Sequence, residues 1–176
     1  MKKRGAFLDR DGVINKALVI GGAPFPPRNL KEVEILSGVQ EAINLLFQNS
    51  IEIIIVTNQP DVARGVTTQK SVESINEYLL KELGIRHSYV CFHDDPEGCN
   101  CRKPKPGLLL TAAKDLDLDL KNSFMVGDRW RDIAAGQAVG CKCFFVDYGY
   151  AEIPPQSPYT RVASLNEAVH LMIGED

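Results

Sequence analysis

The hydrophobic pattern changes period several times along the chain. Residues Ile51–Thr57, IEIIIVT, are almost wholly apolar and β-branched. A strand this apolar is expected where helices cover both faces of a parallel sheet. Arg4–Leu8, Ser88–Phe92, Ser123–Gly127 and Cys141–Asp147 are shorter runs of the same kind. Between them the period becomes helical. Val39, Ala42, Ile43, Leu46 and Phe47 mark one helix. Val72, Ile75, Leu79 and Leu83 mark another, with Thr67 or Thr68 as cap and Gly84 as stop. Gly107–Leu116 and Ile133–Val139 follow, and Ser164 with Glu167 forms a capping box for a last helix. This alternation predicts an α/β fold, a doubly wound, Rossmann-like parallel sheet with helices on both sides. Lys16–Lys31, Asp94–Pro106 and the Pro-rich Ile153–Pro158 read as irregular, although PFPPRNLKEVEIL could form a flap as readily as a solvated loop.

Composition narrows this picture only a little. The 176 residues suit one domain, 1–176, large enough to bury a core without disulfides. A net charge of -3 provides no global field for nucleic acid or an anionic membrane. No apolar run is long enough to span a bilayer, and Asp9 and Asp11 interrupt the first one too early for a signal peptide. The expectation is a cytoplasmic monomer with no membrane or nucleic-acid partner. Five cysteines, an odd number, then suggest metal ligands or core thiols.

The chemistry lies just past the strands. In an open α/β sheet, ligands bind beyond the carboxyl ends of the strands. The first strand leads to Asp9 and Asp11, the second to Thr57, Asn58 and Gln59. The third leads through a Cys/His loop to Arg102, Lys103 and Lys105, and the fourth to Asp128, Arg129, Arg131 and Asp132. Singly, each Asp or Asn could be a helix cap or turn former. Four complementary strand ends on one rim point to a site. Carboxylates gathered near Asp9 and Asp128 repel one another unless a cation sits among them, and oxygen ligands suit Mg²⁺. Asp9 could then attack phosphorus, Asp11 could hand a proton to the leaving oxygen, and Thr57 and Lys103 could hold the phosphoryl oxygens.

The ordered motifs DRDG, VTN, Lys103 and VGDRWRD resemble the haloacid dehalogenase (HAD) superfamily over nearly the whole chain. The resemblance implies a phosphomonoesterase with a phosphoaspartyl intermediate on Asp9 and acid/base work by Asp11. It implies Mg²⁺ held by Asp9, Asp11 and Asp128, with Asp132 as a supporting acid.

CFHDDPEGCNC places Cys91, His93, Cys99 and Cys101 within one loop, a donor set for a closed, structural Zn²⁺ site. The alternative is a core Cys91 beside three incidental loop residues. Cys141 and Cys143 read as core residues, and His87 and His170 as structural. A zinc-pinned loop entering CRKPKPG is similar to a capless branch of the superfamily that holds heptose bisphosphate and histidinol-phosphate phosphatases. FLDRDGVIN, TNQ…ARG and CRKPKPGLL look most like the heptose enzymes. This implies a small phosphorylated sugar as substrate, with contacts from Arg10, Asn58, Gln59, Arg102 and Arg129. Family members usually carry Ser-Gly where this chain has Pro60-Asp61, and polar residues where it has Ala17–Ile20. Competing readings are a histidinol-phosphate phosphatase, a polynucleotide 3′-phosphatase and a non-catalytic zinc-binding interaction module.

Overall fold

The computed structural model describes residues 2–174. Its core is a six-stranded sheet, β5-β4-β1-β6-β7-β8, in which every neighbouring pair is parallel. The strands are β1 (Gly5–Leu8), β4 (Glu52–Asn58), β5 (His87–Cys91), β6 (Phe124–Gly127), β7 (Lys142–Val146) and β8 (Thr160–Val162). The helices are α1 (Val39–Gln48), α2 (Gln69–Leu83), α3 (Gly107–Leu116), α4 (Trp130–Ala138) and α5 (Leu165–Ile173). A separate antiparallel hairpin, β2 (Leu18–Ile20) and β3 (Ala23–Phe25), follows β1.

The unbroken apolar run of β4 is explained by helices on both sides. Ile53 and Ile55 bury in the same cluster as Val39 and Ile43 of α1, Ile75 of α2 and Val169 of α5. Ile54 and Val56 bury on the other side, with Leu109 of α3 and Ile133 of α4. Truncating either fully buried Ile54 or Ile55 to alanine would cost about 2–5 kcal/mol. The expected caps are in place. Thr68 Oγ1 accepts the Ser71 N–H at 3.1 Å, α2 stops at Gly84 with φ of +69°, and Ser164 Oγ accepts the Glu167 N–H at 3.2 Å.

Two elements lie where the pattern predicts none. The hairpin occupies part of the irregular Lys16–Lys31, turning on Gly21-Gly22 at φ of +59° and +80°. Positive φ at both central residues is the geometry of a tight hairpin turn. Its strands are three residues each and contain Pro24, so no alternation is long enough to read. Strand β8 is equally short and follows the Pro-rich segment.

Topology fixes where the site must form. From β1 the chain passes to β4 and β5 on one side, then crosses back to β6 on the other, and Leu8 pairs with both Ile55 and Val126. The crevice at such a switch point is where doubly wound sheets bind ligands. The residues following β1 and β6 therefore lie side by side.

Candidate active site

Asp9 is the first residue past β1, and its N–H donates to the Val126 carbonyl at 2.9 Å. This bond carries the β1–β6 ladder one step beyond the strand and sets Asp9 beside Asp128. Lys103, buried and delivered by the loop after β5, reaches between the acids. Its Nζ lies 2.6 Å from Asp9 Oδ1, 2.6 Å from Asp132 Oδ1 and 2.7 Å from the Val56 carbonyl. Burial alone would lower the ammonium pKa, but Asp132 and Asp9 outweigh it and hold Lys103 charged. Asp132 sits in the first turn of α4, where its Oδ2 also accepts the Arg129 N–H at 3.0 Å.

The carboxylates outnumber their cations. Burial raises the Asp9 pKa to about 7, with Asp132 and Asp11 adding to the shift and Lys103 opposing it. Asp128 is raised well above its ordinary value by burial and by the charges of Asp9 and Asp132. Both Asp128 oxygens are buried with no hydrogen bond of ordinary geometry, and the Tyr150 hydroxyl approaches closely enough to oppose the upward shift. Asp9, Asp128 and Asp132 each bring an oxygen within 4.8 Å of the others. A hard divalent cation fits this donor set: it would satisfy Asp128 and remove the mutual repulsion. Gly12 permits the crowding, because a Cβ there, at φ of +91°, would stand 2.0 Å from Asp128 Oδ2.

Asp11 departs from the expected Mg²⁺ set. Its carboxylate turns to Arg10, Asn15 and Gln59, and the carboxylate cluster instead contains Asp132. Asp11 still lines the main cavity beside Asp9, where an acid/base is needed. Thr57, at the end of β4, accepts from Gln59 Nε2 at 2.9 Å, so its own hydroxyl proton is free to donate.

Two expected substrate contacts serve other roles. Arg10 has no exposed surface and lies behind Asp11, so it cannot meet a ligand in the cavity. Gln59 is buried, its amide shared between Asp11 at 2.8 Å and Thr57. Asn58 lines the cavity and also pairs with the Lys103 backbone in both directions, at 3.0 and 3.1 Å, and so fixes where Lys103 enters the site. Arg102 and Arg129 do reach the main cavity of about 270 Å³. Both are ion-paired, Arg102 to Asp95 at 2.7 Å and Arg129 to both oxygens of Glu152. Arg64 and Arg131 join this rim. Arg64 chelates Asp94 at 2.7 Å through two nitrogens and touches Asp61 at 3.3 Å, which absorbs the acid of the Pro60-Asp61 departure. An incoming anion would compete with these carboxylates for the rim arginines. Ala23, Pro24, Phe25 and Pro26, in and just after the hairpin, add an apolar wall to the same cavity.

The sulfur cluster assembles as expected. Sγ–Sγ separations among Cys91, Cys99 and Cys101 are 3.1, 3.5 and 3.7 Å, and His93 Nδ1 is 3.3 Å from Cys101 and 3.6 Å from Cys91. Bonds of about 2.3 Å to one tetrahedral ion imply edges of about 3.8 Å, so the four donors suit Zn²⁺.

The sequence pattern passes over several partners. Asn76 carries a readable signal, an amide on the apolar face of α2. Asn15, Asp95 and Glu152 carry none, since only the fold brings them to Asp11, Arg102 and Arg129.

Comparison with known proteins agrees with this geometry. Residues 100–168 match the HAD-hydrolase-like family model. The D-glycero-alpha-D-manno-heptose-1,7-bisphosphate 7-phosphatase of Campylobacter jejuni is 38% identical, with 77% of each chain covered. The D-glycero-beta-D-manno-heptose-1,7-bisphosphate 7-phosphatase of Helicobacter pylori strain J99 is also 38% identical, with 76% of each covered. The chain belongs to the heptose-1,7-bisphosphate 7-phosphatase family. Among solved structures, the D,D-heptose 1,7-bisphosphate phosphatase from B. bronchiseptica, complexed with magnesium and phosphate, superposes with a TM-score of 0.85. It is 27% identical, over 98% of this chain and 99% of that one. Phosphoric monoester hydrolysis is thus the activity of the family, and relatives of similar identity are named for opposite anomers.

Proposed function

We propose that this chain removes the 7-phosphate of D-glycero-D-manno-heptose 1,7-bisphosphate through an aspartyl phosphate on Asp9. The observation that carries the reading is the buried Asp9–Lys103–Asp132 chain beside an Asp128 that no cation neutralises, at the base of a cavity rimmed by arginines. The family supplies the sugar, and the rim supplies cations for a second phosphate.

A carboxylate oxygen of Asp9 attacks the 7-phosphorus. The ester P–O bond breaks, and the sugar oxygen takes a proton from Asp11. Asp11, now a carboxylate, removes a proton from water. The water oxygen attacks the same phosphorus, the P–O bond to Asp9 breaks, and inorganic phosphate leaves. Lys103 and the Thr57 hydroxyl hold charge that develops on the phosphoryl oxygens. Mg²⁺ at Asp9, Asp128 and Asp132, when bound, supplies charge neutralisation for the carboxylates and the phosphoryl group. Zn²⁺ at Cys91, His93, Cys99 and Cys101 is structural and fixes the loop that presents Arg102 and Lys103.

The test is phosphate release, with Mg²⁺ present, from the α and β heptose 1,7-bisphosphates, histidinol phosphate and a 3′-phosphorylated oligonucleotide. Fastest release from a heptose bisphosphate, with phosphorus NMR showing the C1 phosphate retained, is the expected result. Faster release from histidinol phosphate or the oligonucleotide would overturn the assignment.

A further inference from the structure

Arg10 is a fully buried cation whose side-chain bonds go to two residues. Nε and Nη2 chelate the two oxygens of Asp11 at 3.1 and 2.9 Å, and Nη1 reaches Asn76 Oδ1 at 2.8 Å. Asn76 comes from the middle of α2, among the buried Val72, Ile75, Leu79 and Leu83. An amide at such a position is unfavourable unless it is paired, and a buried guanidinium N–H stripped of its acceptor costs about 1–3 kcal/mol or more. Asn76 and Arg10 therefore explain each other.

We infer that Asn76 is a positioning residue for the reaction: it fixes Arg10 from α2, and Arg10 fixes the plane and direction of Asp11. This rests on the acid/base role proposed for Asp11. Asp11 lies in a tight turn in which the Arg10 carbonyl accepts the Ile14 and Asn15 N–H groups at 2.9 and 3.1 Å. Neither a helix nor a sheet ladder sets its rotamer, so its side-chain partners must. Asn15 Nδ2 donates to Oδ1 at 2.9 Å and Gln59 Nε2 to Oδ2 at 2.8 Å. With the two Arg10 bonds, the roughly four acceptor positions of a carboxylate are filled. Bidentate bonds from a guanidinium are about twice as strong as neutral ones. The amides are thus the donors that a leaving oxygen or an attacking water displaces, while Arg10 holds the carboxylate in register. Asn76 touches neither the cavity nor Asp11, and its effect on rate passes through Arg10.

Asn76→Ala and Asn76→Asp test this in the full chain with heptose 1,7-bisphosphate, and with p-nitrophenyl phosphate beside it. Rates are normalised to the folded fraction from thermal melts. Asn76→Ala should lower kcat about tenfold or more, with KM within about twofold, because loose orientation forfeits part of the roughly 10²–10⁴-fold contribution of acid/base catalysis. With p-nitrophenyl phosphate, whose leaving group needs little proton from Asp11, water activation is the step that slows, so the steady-state fraction of hydroxylamine-labile phosphoenzyme should rise on that substrate. Asn76→Asp keeps an acceptor for Nη1 and should restore kcat. If Asn76→Ala does not accumulate folded, Asn76→Gln carries the test, since it keeps the amide but displaces the acceptor by one methylene. Wild-type kcat in the folded Ala or Gln variant would overturn the inference. So would a loss that Asn76→Asp shares, or one without phosphoenzyme build-up on p-nitrophenyl phosphate. If the sugar assignment is wrong, the wild type is silent on the heptose substrate while p-nitrophenyl phosphate still reports on the clamp.

Discussion

Asp9 is buried among like charges, and this sets both its reactivity and its dependence on cations. Asp9→Asn keeps the volume and removes the nucleophile. Turnover should fall by more than about a hundredfold, the scale of losing about 2.7 kcal/mol of transition-state stabilisation, while circular dichroism stays unchanged. The raised pKa of Asp9 also gives a sign. An acid shifted from 3.8 to about 7 binds an extra proton in the folded state, so its contribution to metal-free stability falls as pH rises across that interval. A cation must displace that proton, so its affinity rises with pH over the same window. Mg²⁺ should therefore raise Tm more at pH 8 than at pH 6. Equal shifts at the two pH values would contradict the placement of the ion at Asp9. At this scale the sequence was only partly legible. Asp9, Asp11, Lys103 and Asp128 could be read because strand ends and charge demand them. Arg10 and Gln59 were misplaced because an amide or guanidinium looks the same whether it faces a ligand or a neighbour. Only their burial separates the two.

At the scale of elements, two short segments shape the cavity. The end of β5 and the loop from it to α3 carry the four Cys and His donors that suit zinc, with Arg102 and Lys103 directly after the last. Cys101→Ser should lower zinc content and raise KM for the sugar bisphosphate by loosening Arg102 and its partner Asp95, while the sheet survives. Elemental analysis paired with kinetics checks this, and zinc loss with unchanged kinetics would reduce the metal to a local staple. The hairpin supplies Phe25 as an apolar wall of the cavity that the arginines rim. Phe25→Ala should raise KM for the sugar bisphosphate several-fold, the scale of losing about 1 kcal/mol of apolar contact. Hydrolysis of p-nitrophenyl phosphate should change less, and equal effects on both substrates would argue against the wall. Elements were legible in proportion to their length. The apolar run of β4 and the capped α2 announce themselves, whereas the three-residue strands of the hairpin and β8 are held by their context rather than by a period of their own.

At the scale of the molecule, the order of the strands does the assembly. Because β1 lies between β4 and β6, residues separated by more than a hundred positions in sequence, Asp9 and Asp128, meet at one crevice. The β5–α3 loop then reaches over β4 to bring Lys103 beneath them, and α4 returns Asp132 to the same ammonium. The parallel sheet was foreseeable from alternation alone, but its strand order was not, and the order is what makes four scattered motifs one site. That site implies a covalent intermediate, and trapping it is the most direct test. Enzyme and heptose 1,7-bisphosphate are mixed with Mg²⁺, quenched in acid within a turnover, digested and mapped by mass spectrometry. A phosphoryl group should appear on Asp9, lost on hydroxylamine treatment and absent from Asp9→Asn. Phosphate release at full rate with no phosphorylated Asp9, or with the group on another residue, would contradict Asp9 as the nucleophile.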